Sequence, residues 1–95
     1  MANLQKLGTH KTLVYPQDNF INIQYHNTVV VAFNDKEVIL NNGGWYTKTT
    51  KDRMNQTSNQ FGLGYRVFQK NFQWYVEHGD QVMPYTNELI LRRKS

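Results

Sequence analysis

Three strand-like segments follow one another between residues 20 and 40, and this close spacing constrains the fold more than any other feature of the sequence. Apolar and polar residues alternate over 20–25, which is the two-residue period of a half-buried strand. The segment 28–33 is β-branched and almost wholly apolar, as expected of a central strand. Turn-forming residues at 34–36 separate it from a third strand at 37–40. The sequence therefore predicts a three-stranded antiparallel meander.

A helix is predicted after the meander. Two asparagines and two glycines at 41–44 must end the sheet, because both residue types tolerate positive φ. Thr49 and Asp52 are close to a capping box in spacing, so we expect the helix to begin at Thr49. Gly62 or Gly64 can end it. The side chains expected on its buried face are Met54, Thr57 or Ser58, and Phe61.

A second hairpin is predicted after the helix. Lys70 and Asn71 form a two-residue gap between strand patterns at 65–69 and 72–77, which suits a tight turn. The residues expected to share the buried face of the second strand are Phe72, Trp74 and Val76.

The two ends of the chain show weaker patterns. A short edge strand is expected at 12–15, with Pro16 ending it, and residues 1–11 are interpreted as a loosely held arm. A final short strand is expected at 88–91, before a basic tail at 92–95. The whole pattern predicts a single α+β domain over 1–95. Its antiparallel sheet has the order β-β-β-α-β-β, with one more strand if the last segment pairs, and a single helix packs on it.

Composition excludes several classes of protein. Cysteine is absent, which excludes disulfides, thiolate zinc sites and cysteine nucleophiles. No stretch approaches the roughly 18 apolar residues that span a bilayer, and the start of the chain lacks an apolar signal-peptide core. The histidines lie on different segments, and Asp35 and Glu37 fall in a predicted turn. We therefore expect no cofactor, no metal, no membrane partner and no enzymatic activity.

Positive charge is concentrated in one part of the sequence. The formal net charge is +4, and residues 1–44 and 71–95 each sum to zero. The excess lies in 45–70, where Lys48, Lys51, Arg53, Arg66 and Lys70 are balanced only by Asp52. This segment is either an ordinary solvated surface or the contact for an anionic partner.

The segment 43–51 combines a glycine turn, lysines, threonine hydroxyls and a helix start, which are the parts of an anion site. The segment lacks the glycine spacing of a nucleoside-triphosphatase loop, which excludes ATPase and GTPase activity. The alternative to an anion site is a capped helix that follows a tight turn. Aromatic residues interleave with the cations, as in proteins that stack bases and pair phosphates, although strand aromatics are more often core. The candidate ligand-binding residues are Trp45, Tyr46, Lys48, Thr49, Thr50, Lys51, Arg53, Asn55, Arg66, Lys70 and Tyr75.

One pattern resembles a known group of proteins. Gly-Trp-x-Thr-x-Thr-Thr-Lys-x-Arg-Met-Asn-Gln stands at 44–56, followed by Asn-Gln-Phe-Gly at 59–62 and Phe-Gln-Trp-Tyr-Val at 72–76. Over residues 28–77 the chain resembles small accessory proteins encoded by tailed bacteriophages. The resemblance implies a viral protein that acts in the cytoplasm of the infected bacterial host, but it carries no established activity.

Two functions follow from these observations. The first is a non-enzymatic module that engages nucleic acid or a phosphate-bearing nucleotide through the loop and helix start at 45–53. The alternative is a protein-interaction module that inhibits a host enzyme or an antiviral defence complex through exposed aromatic and arginine side chains. A homodimer is also an open interpretation, because an exposed edge at 84–91 could pair across a twofold axis.

Overall fold

The computed structural model describes residues 12–93, which form eight strands and one helix. The predicted arm at 1–11 and the last two residues of the basic tail lie outside the described residues. The strands are β1 (Thr12–Gln17), β2 (Phe20–Tyr25), β3 (Thr28–Phe33), β4 (Glu37–Leu40), β5 (Tyr65–Lys70), β6 (Gln73–His78), β7 (Gln81–Pro84) and β8 (Leu89–Arg92), and the helix is α1 (Lys48–Phe61).

The strands form two antiparallel sheets. The larger sheet has the order β1-β2-β3-β4-β8, and the smaller one has the order β5-β6-β7. The predicted α+β class with one helix packed on a sheet is confirmed, and so is the meander of β2, β3 and β4. Two sheets form because α1 separates β5 from the meander, and the chain returns to pair with β4 only at β8.

Two-residue turns join β1 to β2, β2 to β3, β5 to β6 and β6 to β7. Asn71 and Phe72, both with positive φ, connect β5 to β6, so the turn lies one residue later than the predicted Lys70-Asn71. Phe72 is therefore at the tip and is 95% exposed, which contradicts its predicted place in the core. Trp74 and Val76 are buried as expected, since alternation along the strand itself is kept.

Pro16 does not end the first strand, as the sequence had suggested. It lies inside β1 and pairs with Ile21, while Gln17 pairs with Phe20 across the next turn. Gln17 and Phe20 flank a two-residue turn, so they form a hydrogen-bonded pair. Hydrogen-bonded and non-hydrogen-bonded pairs alternate along an antiparallel ladder, so the backbone groups of Pro16 point away from β2. The missing N–H of proline costs no ladder bond at this position.

The N-cap of the helix is Thr47, two residues before the Thr49 that the capping box predicted. Thr47 is extended, with φ of −104°, and its hydroxyl accepts a hydrogen bond from the Thr50 N–H at 3.2 Å. Thr49 therefore lies inside the first turn instead of capping it. Gly62, at φ of 65°, ends the helix as predicted, because glycine adopts the left-handed conformation without steric cost.

One hydrophobic core fills the space between the larger sheet, α1 and the smaller sheet. The helix contributes Met54 to it and contacts β2, β3 and β5. Phe61 packs on Phe33 with their ring centroids 4.9 Å apart. The buried apolar residues are Ile23, Val30, Val31, Phe33, Val38, Leu40, Met54, Leu63, Tyr65, Val67, Trp74, Val76, Tyr85 and Leu91.

Polar side chains of α1 cover the outer edge of β5. The Asn55 amide accepts from the Val67 N–H at 2.8 Å and donates to the Val67 carbonyl at 2.9 Å. Ser58 does the same for Tyr65, accepting from its N–H at 3.1 Å and donating to its carbonyl at 2.7 Å. These two side chains take the place of a neighbouring strand. Their hydrogen bonds link the helix to the smaller sheet.

Candidate functional site

A cavity of about 470 Å³ lies where the chain passes from β4 into α1. Gly43 and Gly44, both with positive φ, turn the chain just before this point. The residues that line the cavity are Tyr25, His26, Asn27, Thr28, Val30, Asn42, Trp45, Thr47, Thr49 and Thr50. Its volume suits a small ligand, because ligand pockets commonly measure roughly 300–1,000 Å³.

The start of α1 contributes hydroxyls and helix dipole to the cavity wall. Thr47, Thr49 and Thr50 all line it, and the hydroxyls of Thr47 and Thr50 are 2.9 Å apart. The first amides of a helix have no intrahelical acceptor, and the positive end of the dipole favours an anion there. This wall therefore offers neutral donors to a negatively charged group.

Asn42 adds a buried donor to the same wall. Its side chain is fully buried, and its Oδ1 accepts a hydrogen bond from the Gly44 N–H at 2.8 Å. Its backbone N–H donates to the Tyr85 hydroxyl at 2.7 Å. The Asn42 Nδ2 has no hydrogen-bond partner within the described part of the chain. A buried amide nitrogen without a partner costs free energy, so this donor is suited to a ligand acceptor.

Aromatic rings stand at and beside the cavity. Trp45 lines it and is 63% exposed, so its ring is accessible for stacking. Tyr46 packs edge-on against Trp74 and Tyr85, with centroid distances of 5.1 and 6.1 Å. Burial raises the pKa of Tyr85 to about 12, and the hydrogen bond from the Asn42 N–H opposes part of this shift.

The predicted cations lie outside the cavity. Lys48 forms an exposed ion pair with Asp52 at 2.8 Å, and neither Lys48 nor Lys51 is among the lining residues. Arg53 turns toward β1 and β2, where its Nε donates to the Thr12 hydroxyl at 3.0 Å. Its guanidinium also lies 5.2 Å from the centroid of the Tyr25 ring. Among the described residues, the cavity wall thus contains no lysine or arginine.

The remaining predicted residues lie on the outer face of β5 and β6. Arg66 donates to Glu77 at 3.1 Å and lies 4.8 Å from the centroid of the Phe68 ring. Phe68 stacks on Tyr75 at 5.7 Å, and Lys70 is exposed beside the turn at the end of β5. The predicted site therefore divides into a cavity and a separate aromatic surface, while the Asn55 amide is used within the fold.

Several lining residues were not recognised in the sequence. Tyr25, His26 and Thr28 come from the β2–β3 hairpin, which approaches the start of α1 only in the folded chain. The sequence predicts Asn42 only as a turn residue, although an asparagine next to paired glycines also offers an amide donor. Pairing between distant segments creates the cavity, so local patterns could not reveal it.

The described residues show no arrangement typical of a metal enzyme. Within 12–93, no three histidine, aspartate or glutamate side chains come together in a group that could hold a metal ion. Asp35 borders a shallow cavity of about 380 Å³, and no histidine is among the residues that line it. No helix in this part of the chain is long and apolar enough to cross a membrane.

Comparison with known families identifies the relatives of the chain. No curated protein and no solved structure shows significant similarity to it. The model of the Kyanoviridae Gp96 protein family matches residues 1–92, which extends beyond the 28–77 resemblance on both sides. The chain therefore belongs to the Kyanoviridae Gp96 family of bacteriophage proteins.

Proposed function

We propose that this phage protein is a non-enzymatic binding protein that holds a phosphate-bearing nucleotide in the cavity at the start of α1. It would act in the cytoplasm of the infected bacterial cell. The observation that carries the proposal is the unpartnered Asn42 Nδ2 in the wall of a cavity that also contains the helix start. In this interpretation a phosphate group accepts from the threonine hydroxyls, the free helix amides and Asn42, while Trp45 stacks on the base.

The arrangement of charge favours a small nucleotide over a nucleic-acid polymer. A polymer requires a track of cations that neutralises successive phosphates. Lys48 and Arg53 are held by other groups, and Arg66 belongs to a different surface. Salt screens attraction between charges, so binding of one phosphate by neutral donors should depend little on salt.

Thermal unfolding with a panel of ligands tests the proposal. The ligands are linear and cyclic nucleotides, single-stranded and duplex DNA, and RNA, each at low and high salt. A nucleotide that binds the native state must raise the unfolding midpoint, and the shift should persist at high salt. Trp45→Ala should reduce it. Lys70→Ala, which removes an exposed cation at the other predicted surface, is the matched control and should leave it unchanged.

Asn42→Asp tests the buried donor directly. The substitution keeps the oxygen that accepts from Gly44 and replaces the unpartnered nitrogen with a carboxyl oxygen. Nucleotide binding should weaken as pH rises and the carboxyl ionises, because the ionised oxygen accepts instead of donating and repels phosphate. A shift only with polymers that disappears at high salt would overturn the small-nucleotide proposal. No shift with any ligand would overturn it too and leave a host protein as the target.

A further inference from the structure

Within residues 12–93 the two sheets have four edge strands, and three of them carry a proline or are partly covered by α1. In an antiparallel ladder, alternate residues direct their N–H and C=O groups away from the neighbouring strand. On β5 those groups belong to Tyr65 and Val67 and are bound by side chains of α1. Pro16 faces outward on β1 and has no N–H.

Pro84 protects the edge of β7 in the same way. The Tyr85 N–H donates to the Trp74 carbonyl at 3.0 Å, so Tyr85 faces β6 and the preceding Pro84 faces outward. Edge prolines of this kind prevent another strand from adding to a sheet.

In the described part of the chain, the edge of β8 has neither a proline nor a side-chain cover. The Arg93 N–H donates to the Lys36 carbonyl at 2.8 Å, which fixes the phase of the ladder between β8 and β4. Leu91, two residues earlier, therefore faces β4 as well. Ile90 and Arg92 direct both backbone groups outward, and both side chains are exposed. A strand added here would find a complete set of backbone donors and acceptors.

A groove of about 790 Å³ runs along this strand. Residues 90–93 form one side of it, and the turn at 62–64 with the β6–β7 hairpin forms the other. Its apolar lining includes Leu63, Met83 and Leu91. The groove thus combines an open strand edge with apolar surface, which are the two requirements for recognition by strand addition.

The charge along the groove favours an acidic occupant. Arg92 and Arg93 line it against one carboxylate, Asp80. The Arg93 guanidinium donates to the Asn34 carbonyl at 2.7 Å, which holds its positive charge at the end of β8. A second copy of β8 would bring two further arginines into the same groove, and like charges on paired strands are destabilising.

We propose that β8 accepts an extended acidic peptide segment of another protein as an additional strand. The peptide backbone would pair with Ile90 and Arg92, its alternate apolar side chains would contact the groove lining, and its acidic side chains would face the arginines. This surface is separate from the cavity at α1, so the proposal stands or falls independently of nucleotide binding.

The test uses a blocked hexapeptide of alternating glutamate and valine, titrated into the isotope-labelled full chain. Amide chemical shifts of Ile90 and Arg92 should move and saturate. A peptide of alternating lysine and valine has the same strand propensity and should bind much more weakly. Equal binding of the two peptides would overturn the charge argument.

Backbone variants test the strand-addition mode. Ile90→Pro removes an outward N–H without breaking a bond to β4, and it should abolish binding of the glutamate peptide. Val82→Pro is the matched control, because Val82 faces outward on β7, and binding should be retained. Wild-type affinity in Ile90→Pro would overturn the proposal. So would a concentration-dependent dimer that Ile90→Pro dissociates, since the occupant would then be a second copy.

Arg92→Glu keeps the proposal testable if the proline variant fails to fold. Reversing this exposed charge should weaken the glutamate peptide roughly fivefold and strengthen the lysine peptide, as expected for an exposed ion pair. Arg92→Lys should retain the preference for the acidic peptide. Unchanged affinities in Arg92→Glu would contradict the assigned role of the groove charge.

Discussion

The outer edges of β5 and β8 present the same chemical problem and have opposite solutions. Each edge strand presents unpaired backbone donors and acceptors. On β5, the Asn55 amide and the Ser58 hydroxyl each donate and accept one hydrogen bond, so two side chains satisfy four backbone groups. On β8 the corresponding groups of Ile90 and Arg92 face an open groove.

The difference separates an edge that serves the fold from one that is left open among the described residues. Covering β5 binds α1 to the smaller sheet and satisfies groups that would otherwise be buried without partners. The β8 edge needs no such cover for stability, because water can reach its backbone groups. An open edge exposes a protein to unwanted pairing, and protection of the other three suggests a use for the fourth.

Removing the cover from β5 should have the largest effect on stability. The double variant Asn55→Ala with Ser58→Ala leaves the N–H and C=O groups of Val67 and Tyr65 without partners. The free energy of unfolding should fall by about 3–5 kcal/mol, because each unsatisfied buried group costs roughly 1–3 kcal/mol and partial solvation offsets some of this cost. Chemical denaturation monitored by tryptophan fluorescence measures the change.

Asn59→Ala is the control for this variant. Asn59 lies on the same helix but is exposed, so its substitution should change the free energy of unfolding by less than about 0.5 kcal/mol. A double variant as stable as this control would show that the side-chain cover of β5 contributes little. The comparison between the two edges would then lose its energetic basis.

Much of the larger sheet could be predicted from the sequence, whereas the side-chain cover of β5 could not. Alternation of apolar and polar residues and runs of β-branched residues are visible within a single segment, so β2, β3 and β4 could be predicted. Asn55 illustrates the limit, since an asparagine on a helix gives no local sign that its amide will pair with Val67. Phe72 shows another, because a shift of one residue in a turn moves an apolar side chain from the core to the tip.

The candidate site was partly predictable for the same reason. The segment 45–53 was recognised as a loop and helix start, and Trp45, Thr49 and Thr50 do line the cavity. The cations of that segment were expected to join them. The sequence shows that a side chain is charged but not which way it points. The Arg53 guanidinium contacts the Thr12 hydroxyl on β1 and the Tyr25 ring on β2 instead of the cavity.

Breaking the link between the two sheets should have an intermediate effect. The Tyr85 hydroxyl accepts from the Asn42 N–H, which joins the chain after β7 to the chain after β4. Tyr85→Phe leaves that buried N–H unpaired and should lower the free energy of unfolding by about 1–2 kcal/mol at neutral pH. Chemical denaturation at pH 7 measures the loss.

Alkaline pH tests the same link in the unmodified chain. Burial raises the pKa of Tyr85 to about 12, above the value of about 10 for an unfolded tyrosine. The native state therefore retains a proton that the unfolded state has lost, so stability should fall as pH rises from 10 to 12. Stability should fall less steeply with pH in Tyr85→Phe. Part of the fall should remain, because burial also raises the pKa of Tyr65. Equal slopes in the two proteins would contradict the shift assigned to Tyr85.

The smallest expected effect comes from restoring a donor to the edge of β1. Pro16→Ala adds an outward N–H and changes no hydrogen bond within the sheet, so the free energy of unfolding should change by less than about 1 kcal/mol. Its consequence should appear in association instead, because an edge without proline can pair with other chains. Light scattering during slow heating should rise earlier than in the wild type, while Pro16→Ala and the wild type keep similar unfolding midpoints. If scattering is unchanged, the proline is not what protects β1, and the difference between β1 and β8 must come from the groove and its charge.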